Sequence, residues 1–208
     1  MAAGNGFGTE ILHIELWTEL DPLAQDGESM NPLTQEQILL NLREEAKIIL
    51  SAMIYGLEFT YIPADKLHGV KEYVDIQPIA EIRFTKDNLI IQSTSMDNSR
   101  MYARMTFLLA DHEQKRRESW MSLNISAEGG VGEGNYIHGM KEKKTALYMA
   151  LKNAVRGSLN TTIINKPHKI RGEAILEVFP DTVIRAGTYI TTARFKINIK
   201  EIVPYTVF

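Results

Sequence analysis

Apolar residues along the chain recur with two different periods, and the changes of period divide it into elements. The stretch TEILHIELWTEL (9–20) alternates, with Leu12, Ile14 and Leu16 on one face, and predicts a strand. The turn-rich DPLAQDGESMNPLTQ (21–35) follows and runs into Thr34-Gln35-Glu36-Gln37, a capping box in which the Thr34 hydroxyl takes the amide of Gln37. From there Ile38, Leu42, Ala46, Ile49 and Met53 recur every three or four residues, opposite Asn41, Glu44 and Lys47, so an amphipathic helix is predicted up to Gly56.

Beyond Gly56 the period falls to about two. The runs LEFTYIP, IAEIRFT, LIIQSTS, RMYARMTFLLA and RRESWMSLNIS predict strands, separated by turns such as Lys86-Asp87-Asn88, with Asp111, His112 and Glu113 in a hairpin loop. A second helix is predicted over 142–160, with Leu147, Leu151, Val155 and Leu159 on its apolar face and Ala146, Ala150 and Ala154 beside them. GEAILEVFP and TYITTARFKINIKEI then predict closing strands. The latter places Arg194, Lys196 and Lys200 on one face and Ala193, Phe195, Ile197 and Ile199 on the other. Antiparallel strands with two main amphipathic helices packed on one face make an α+β fold. A single domain over 1–208 is expected, with residues 1–9 disordered and a weak pseudo-repeat relating 34–113 to 141–202.

Composition narrows the function classes. The chain of 208 residues is 44% hydrophobic and 24% charged, ordinary for a folded globular protein. A net charge of −3 gives no overall attraction to nucleic acid or to an anionic membrane surface. The absence of cysteine removes disulfides, thiolate metal sites and thiol nucleophiles. No apolar run approaches the roughly 18–20 residues of a membrane helix. The small, glycine-rich opening MAAGNGFGTE points to a junction left where an export signal was trimmed away, with a natural disordered start as the alternative.

The stretch GGVGEGNYIHGMKEKK (129–144) raises the question of a phosphate cradle. Gly134 and Gly139 have the Walker separation, but Met140 stands where the lysine belongs, Lys141 comes one place late, and Glu142 replaces the hydroxyl residue. The dinucleotide pattern fails too, with Asn135 at its third glycine place. A flexible connector is the expectation, and no bound nucleotide is expected. The weaker alternative is anion binding by Gly132, Gly134, Lys141, Lys143 and Lys144 at the start of the second helix.

Other chemistry is sparse. No two of His13, His68, His112, His138 and His168 show the spacing of a helical metal site, and no serine-nucleophile signature occurs, so no metal, cofactor or catalytic residue is expected. Lys166, Lys169 and Arg171 are candidates for a partner-binding surface, joined by Lys141, Lys143 and Lys144 if the second helix folds back, and Arg194, Lys196 and Lys200 form a second charged face.

ALYMALKNAVRGSLN, GEAILEVFP and AGTYITTARFKINI together resemble the helix-plus-strands module of small bacterial envelope lipoproteins and flagellar accessory proteins. The resemblance covers about a third of the chain and carries over no functional residue. It implies a non-catalytic, periplasmic or otherwise exported component whose partner is another envelope protein. The alternative is an anion- or nucleotide-binding domain built on 129–144.

Overall fold

The computed structural model describes residues 7–20, 33–97, 99–162 and 167–205; the turn-rich stretch 21–32, residues 1–6 and Lys166 lie outside them. In chain order the elements are β1 (Phe7–Glu19), α1 (Gln35–Ile54), β2 (Leu57–Ile62), β3 (Tyr73–Pro78), β4 (Leu89–Met96), β5 (Arg100–Ala110), α2 (Asp111–Met121), β6 (Ala127–Asn135), a 3-10 turn (Tyr136–His138), α3 (Lys141–Thr162), β7 (Lys169–Leu176), β8 (Asp181–Arg185) and β9 (Thr188–Val203). The strands form a three-stranded sheet ordered β1-β5-β4 and a six-stranded sheet ordered β3-β2-β7-β9-β6, with β8 pairing β9. Every strand pairing is antiparallel, and the fold is α+β.

Helix α1 starts where the sequence places it. Thr34 Oγ1 accepts from Gln37 N (3.3 Å) and Gln37 Oε1 accepts from Thr34 N (2.9 Å), closing the capping box. Ile49 to Ile54 are all buried, so the last turns of α1 are covered on every side. The cause is its position between the layers. One side meets β1 of the small sheet, whose Leu12, Ile14 and Leu16 are buried, and the other meets β7 of the large sheet. Gly56 then turns the chain into β2 with a φ of 89°, a conformation that glycine adopts without strain. Ile38, Leu42, Ile49 and Met53 of α1 join Leu147, Leu151, Val155 and Leu159 of α3 in one apolar core, as their spacing predicts.

The glycine cluster is neither a loop nor a connector. Residues 127–135 are the edge strand β6, paired along its length with β9, and its alternation is one of size. Gly130, Gly132 and Gly134 all face α3. A Cβ at Gly130 would overlap the carbonyl of Ala150, one at Gly132 the carbonyl of Ala146, and one at Gly134 the carbonyl of Glu142. The backbone of α3, lined there by fully buried Ala146, Ala150 and Ala154, therefore lies directly on the backbone of β6. Asn153 Nδ2 adds a hydrogen bond to Val131 O (2.7 Å).

Four expectations are corrected. Asp111–Met121 is helix α2 rather than a hairpin loop followed by a strand. Its polar surface hides the helical period, while Glu113 Oε2 caps Ala110 N (2.8 Å) and acidic Asp111 and Glu113 suit the N-terminal end of the helix dipole. IAEIRFT forms no strand; it is irregular, held by Ser51 Oγ accepting from Ile82 N (3.0 Å), and the strand lies earlier, at β3. Residues 7–9, expected to be disordered, belong to β1. The two segments of the expected pseudo-repeat differ in their elements: α1 is followed by β2 to β5, α3 by β7, β8 and β9, and β2 and β7 pair antiparallel at the middle of the large sheet.

On the outer face of β9 the basic residues are engaged within the chain. Arg194 Nε meets Glu177 (3.1 Å), Lys200 Nζ meets Glu173 (3.5 Å), and Lys196 Nζ donates to Met121 O (2.9 Å) and Leu123 O (3.0 Å) at the C-terminal end of α2. This face is a set of ties rather than free charge.

Two measurements check this packing. Gly132→Ala should cost about 3 kcal/mol in urea unfolding, because α3 must lift from the strand, while Gly129→Ala, with open space around its added Cβ, should change stability by less than about 1 kcal/mol. Replacing Arg194, Lys196 and Lys200 together by glutamate sets like charges beside Glu177 and Glu173 and an acid beside the α2 carbonyls. A loss of roughly 1–3 kcal/mol is expected, and an unchanged melting temperature would refute the ties.

Candidate functional site

The densest group of buried polar side chains lies where both sheets and both long helices meet. Lys143 sits in the first turn of α3, one turn before Leu147 on the same buried stripe, so the helix directs it inward. Its side chain is 3% exposed, and Nζ contacts Glu45 Oε2 of α1 (3.1 Å). The same ammonium donates to the carbonyl of Trp17 on β1, stands 3.8 Å from the centroid of the Trp17 ring, and lies 5.9 Å from that of Tyr189 on β9. One cation on α3 thus reaches three other elements.

Glu45 occupies the buried stripe of α1, between Leu42 and Ile49. Burial pushes its carboxyl above the usual range, Lys143 opposes that push, and the neighbouring charge of Glu19 adds to it. Glu19, at the end of β1, is 5% exposed, and its Oε1 has no hydrogen-bond partner. The hydroxyl of fully buried Tyr189 lies beside Glu19; burial first, then the charge of Glu19 and a hydrogen bond to it, push it far up. Tyr136 packs on Tyr189 with centroids 5.3 Å apart, and the guanidinium of Arg100 lies 4.4 Å over Trp17. The group holds two acids, Glu19 and Glu45, around one enclosed lysine.

Two clefts flank it. One, of about 320 Å³, is bordered by Trp17, Glu45, Ile49, Tyr102, Phe179 and Asp181. The other, of about 290 Å³, is bordered by Glu19, Asn41, Ile48, Met140, Lys141 and Lys144.

The residues singled out from the sequence are dispersed by this geometry. Gly132 and Gly134 face α3, and the space beside them is filled by the backbone of that helix. Lys143 is enclosed and committed to Glu45 and Trp17, whereas Lys141 and Lys144 remain exposed beside the second cleft. The proposed joint basic surface does not form. Lys169 and Arg171 pair with Val203 and Glu201 at one end of β9, while Lys143 lies by Tyr189 at the other, about 40 Å away at the rise of a strand. Arg171 is also paired with Glu201 (3.1 Å). Lys166 lies outside the described residues.

The sequence reading missed Trp17, Glu19, Glu45 and Tyr189. A signal existed for Glu45 and Lys143: an acid and a base each interrupt an otherwise apolar helical stripe. Glu19 gave none, because it breaks the alternation of its strand. A second unforeseen group joins the β2–β3 connection to the end of the chain. His68 Nδ1 meets Asp65 Oδ2 (2.8 Å), and the rings of His68 and His168 lie 4.2 Å and 5.2 Å from that of Tyr205. Among the described residues no group of three or more His, Cys, Asp or Glu is placed to hold a metal ion, and no helix is long and apolar enough to cross a membrane.

Lys143→Met should cost about 3–5 kcal/mol, since it leaves Glu45 buried without its cation. Glu45→Leu combined with Lys143→Met should recover most of that loss. Chemical denaturation of the single and double variants measures the coupling directly, and a single-variant cost below about 1 kcal/mol would show that the pair is solvated.

An uncharacterized protein of Treponema pallidum (strain Nichols) is 23% identical over 206 residues, an alignment covering 97% of this chain and 84% of that relative. No solved structure matches the chain. The sequence model of a family of uncharacterized proteins matches residues 4–205, and the chain belongs to that family.

Proposed function

We infer that the protein is a non-catalytic binding or assembly component of the bacterial cell envelope, and that it holds a partner protein by adding a strand of that partner to the free edge of β4. The observation that carries this reading is the chemistry of that edge. β4 ends the three-stranded sheet and, among the described residues, pairs only with β5. Ile90 and Ile91 point to opposite faces, yet both are 40% exposed, and Met96 is exposed as well. Its eight residues, LIIQSTSM, contain neither a charge nor a proline.

The other edge strands are guarded. β1 carries Glu10 and Glu15, β3 carries Asp75 and Pro78, β6 carries Glu128 and Glu133, and β8 carries Asp181 and Arg185. Charges and prolines on an edge oppose adventitious pairing, so an edge without them suits deliberate pairing, in which backbone hydrogen bonds supply affinity and apolar contacts supply selectivity. A register shift between Ile91 and Ser93 leaves Ser93–Met96 as the regular segment for the partner. The envelope assignment rests on the resemblance of the C-terminal third to envelope lipoprotein and flagellar accessory modules. The buried Glu45–Lys143 pair is taken as structural.

A photo-crosslinking residue at Gln92, introduced into the protein in its native cell, tests both halves of the proposal. The adduct is expected in the envelope fraction with one discrete partner. Thr94→Lys with Met96→Lys should abolish it while shifting the melting temperature by less than about 3 °C. An adduct that survives these lysines refutes strand addition, and one confined to the cytosol refutes the compartment.

A further inference from the structure

The β2–β3 connection carries a turn that is held firmly and yet directs hydrocarbon into water. Asp65 and Val70 exchange both backbone hydrogen bonds (2.9 and 2.8 Å), closing residues 66–69 into a tight loop in which Gly69 takes a φ of 66°. Asp65 Oδ1 accepts from the amides of Leu67 (2.9 Å) and His68 (3.4 Å), Asp65 Oδ2 meets the His68 ring (2.8 Å), and that ring stacks on Tyr205. At the apex stands Leu67, 95% exposed. One exposed leucine is ordinary, but this one has company. Tyr73 pairs with Ile62 at the start of β3, and in the neighbouring row Tyr61 pairs with Ile170 and Ile170 with Ile202, so Tyr73 and Ile202 lie at the same end of the large sheet; both are exposed.

The charges at this end are one-sided. Asp65 is engaged by His68, Glu72 by Lys152 (3.0 Å) and Glu201 by Arg171 (3.1 Å). Lys66 and Lys71 flank the apex and Lys169 begins β7, and none of the three has an acidic partner among the described residues. The net charge of −3 therefore conceals a local positive excess, gathered around the apolar tip.

A convex apolar apex flanked by unpaired lysines complements an anionic lipid surface. Leucine can enter the boundary between headgroups and acyl chains, tyrosine rings favour the level of the headgroups, and lysine stems reach along apolar surface while their ammonium groups meet lipid phosphates. A protein partner would need a pocket shaped to the tip, whereas a bilayer needs only that the tip be exposed and fixed. We propose that the protein docks on an anionic lipid bilayer through this end of the large sheet, with Leu67 inserted and Lys66, Lys71 and Lys169 against the headgroups. The surface lies on a different sheet from β4 and stands whether or not strand addition holds.

Sedimentation of the full chain with vesicles of phosphatidylcholine and phosphatidylglycerol, compared with vesicles of phosphatidylcholine alone, tests it. At about 50 mM salt, binding to the anionic vesicles should be at least about tenfold tighter than to the neutral ones, and about 500 mM salt should remove that advantage. Lys66→Glu with Lys71→Glu should weaken binding at least about 25-fold, at roughly fivefold for each lysine lost. Leu67→Ser should weaken it about fivefold and leave the melting temperature unchanged, because the side chain makes no packing contact to lose. The chain has no cysteine, so Leu67→Cys accepts a single nitrobenzoxadiazole label, whose emission should shift to the blue on anionic vesicles, while the same label at Val131→Cys on β6 should not respond. No binding to anionic vesicles, equal binding to both kinds, a label at residue 67 that stays in water, or binding unchanged in the charge and serine variants overturns the proposal. Capture of polyglutamate without binding to vesicles also overturns it, and assigns the surface to an acidic polypeptide.

Discussion

Everything in the arrangement of the helices follows from how closely α3 lies on β6. A helix ordinarily packs about 10 Å from a sheet, held off by side chains on both surfaces. Here one surface has none: Gly130, Gly132 and Gly134 present bare backbone, and the alanines of α3 present the smallest side chains that still favour a helix. The separation shrinks until carbonyl groups of the helix occupy the space that strand side chains would fill. A strand rich in glycine is entropically expensive and weak by itself. Its pairing with β9 and its cover by α3 compensate together, so neither contact is dispensable.

Close docking also fixes where the start of α3 lies. With Gly134 against Glu142, the next residue, Lys143, is carried into the junction of the two sheets, within reach of Glu45, Trp17 and Tyr189. There the ammonium joins elements that share no backbone hydrogen bonds: β1 belongs to one sheet, β9 to the other, and α1 lies between them. Such a pair contributes less to net stability than its Coulomb attraction suggests, because both charges lost their water. Its greater effect is on register, since a slip of α3 along β6 would strand the lysine, the acid, or both.

Much of this fold was legible, and the parts that were not share a physical reason. Period and capping located α1 and α3, and alternation located β1, β5, β7 and β9, because each buries one face and exposes the other. α2 was hidden because it buries little beyond Glu113 and Trp120, so its sequence carries no helical stripe. β6 was hidden because its buried face consists of residues without side chains, and glycines in a row suggest a loop unless their alternate spacing is noticed. The candidate site was legible only in halves. Lys143 drew attention as a possible ligand group, but its partner lies 98 residues away on another helix, and nothing local in the sequence joins the two.

The span of β9 has a consequence for the order of assembly. Its first half pairs with β6 and β8 and its second half with β7, which in turn pairs with β2, more than a hundred residues earlier. During synthesis the large sheet therefore cannot register until residues 188–203, the last of its strands, have left the ribosome. Before then β6 and the outer edge of β7 wait unmatched, and α3 has only a flimsy glycine strand to rest on. Topologies dominated by such distant contacts fold slowly and expose adhesive surface while they do so. The nascent chain should thus stay open for most of its synthesis and close late, in one cooperative step, around the strand that arrives last.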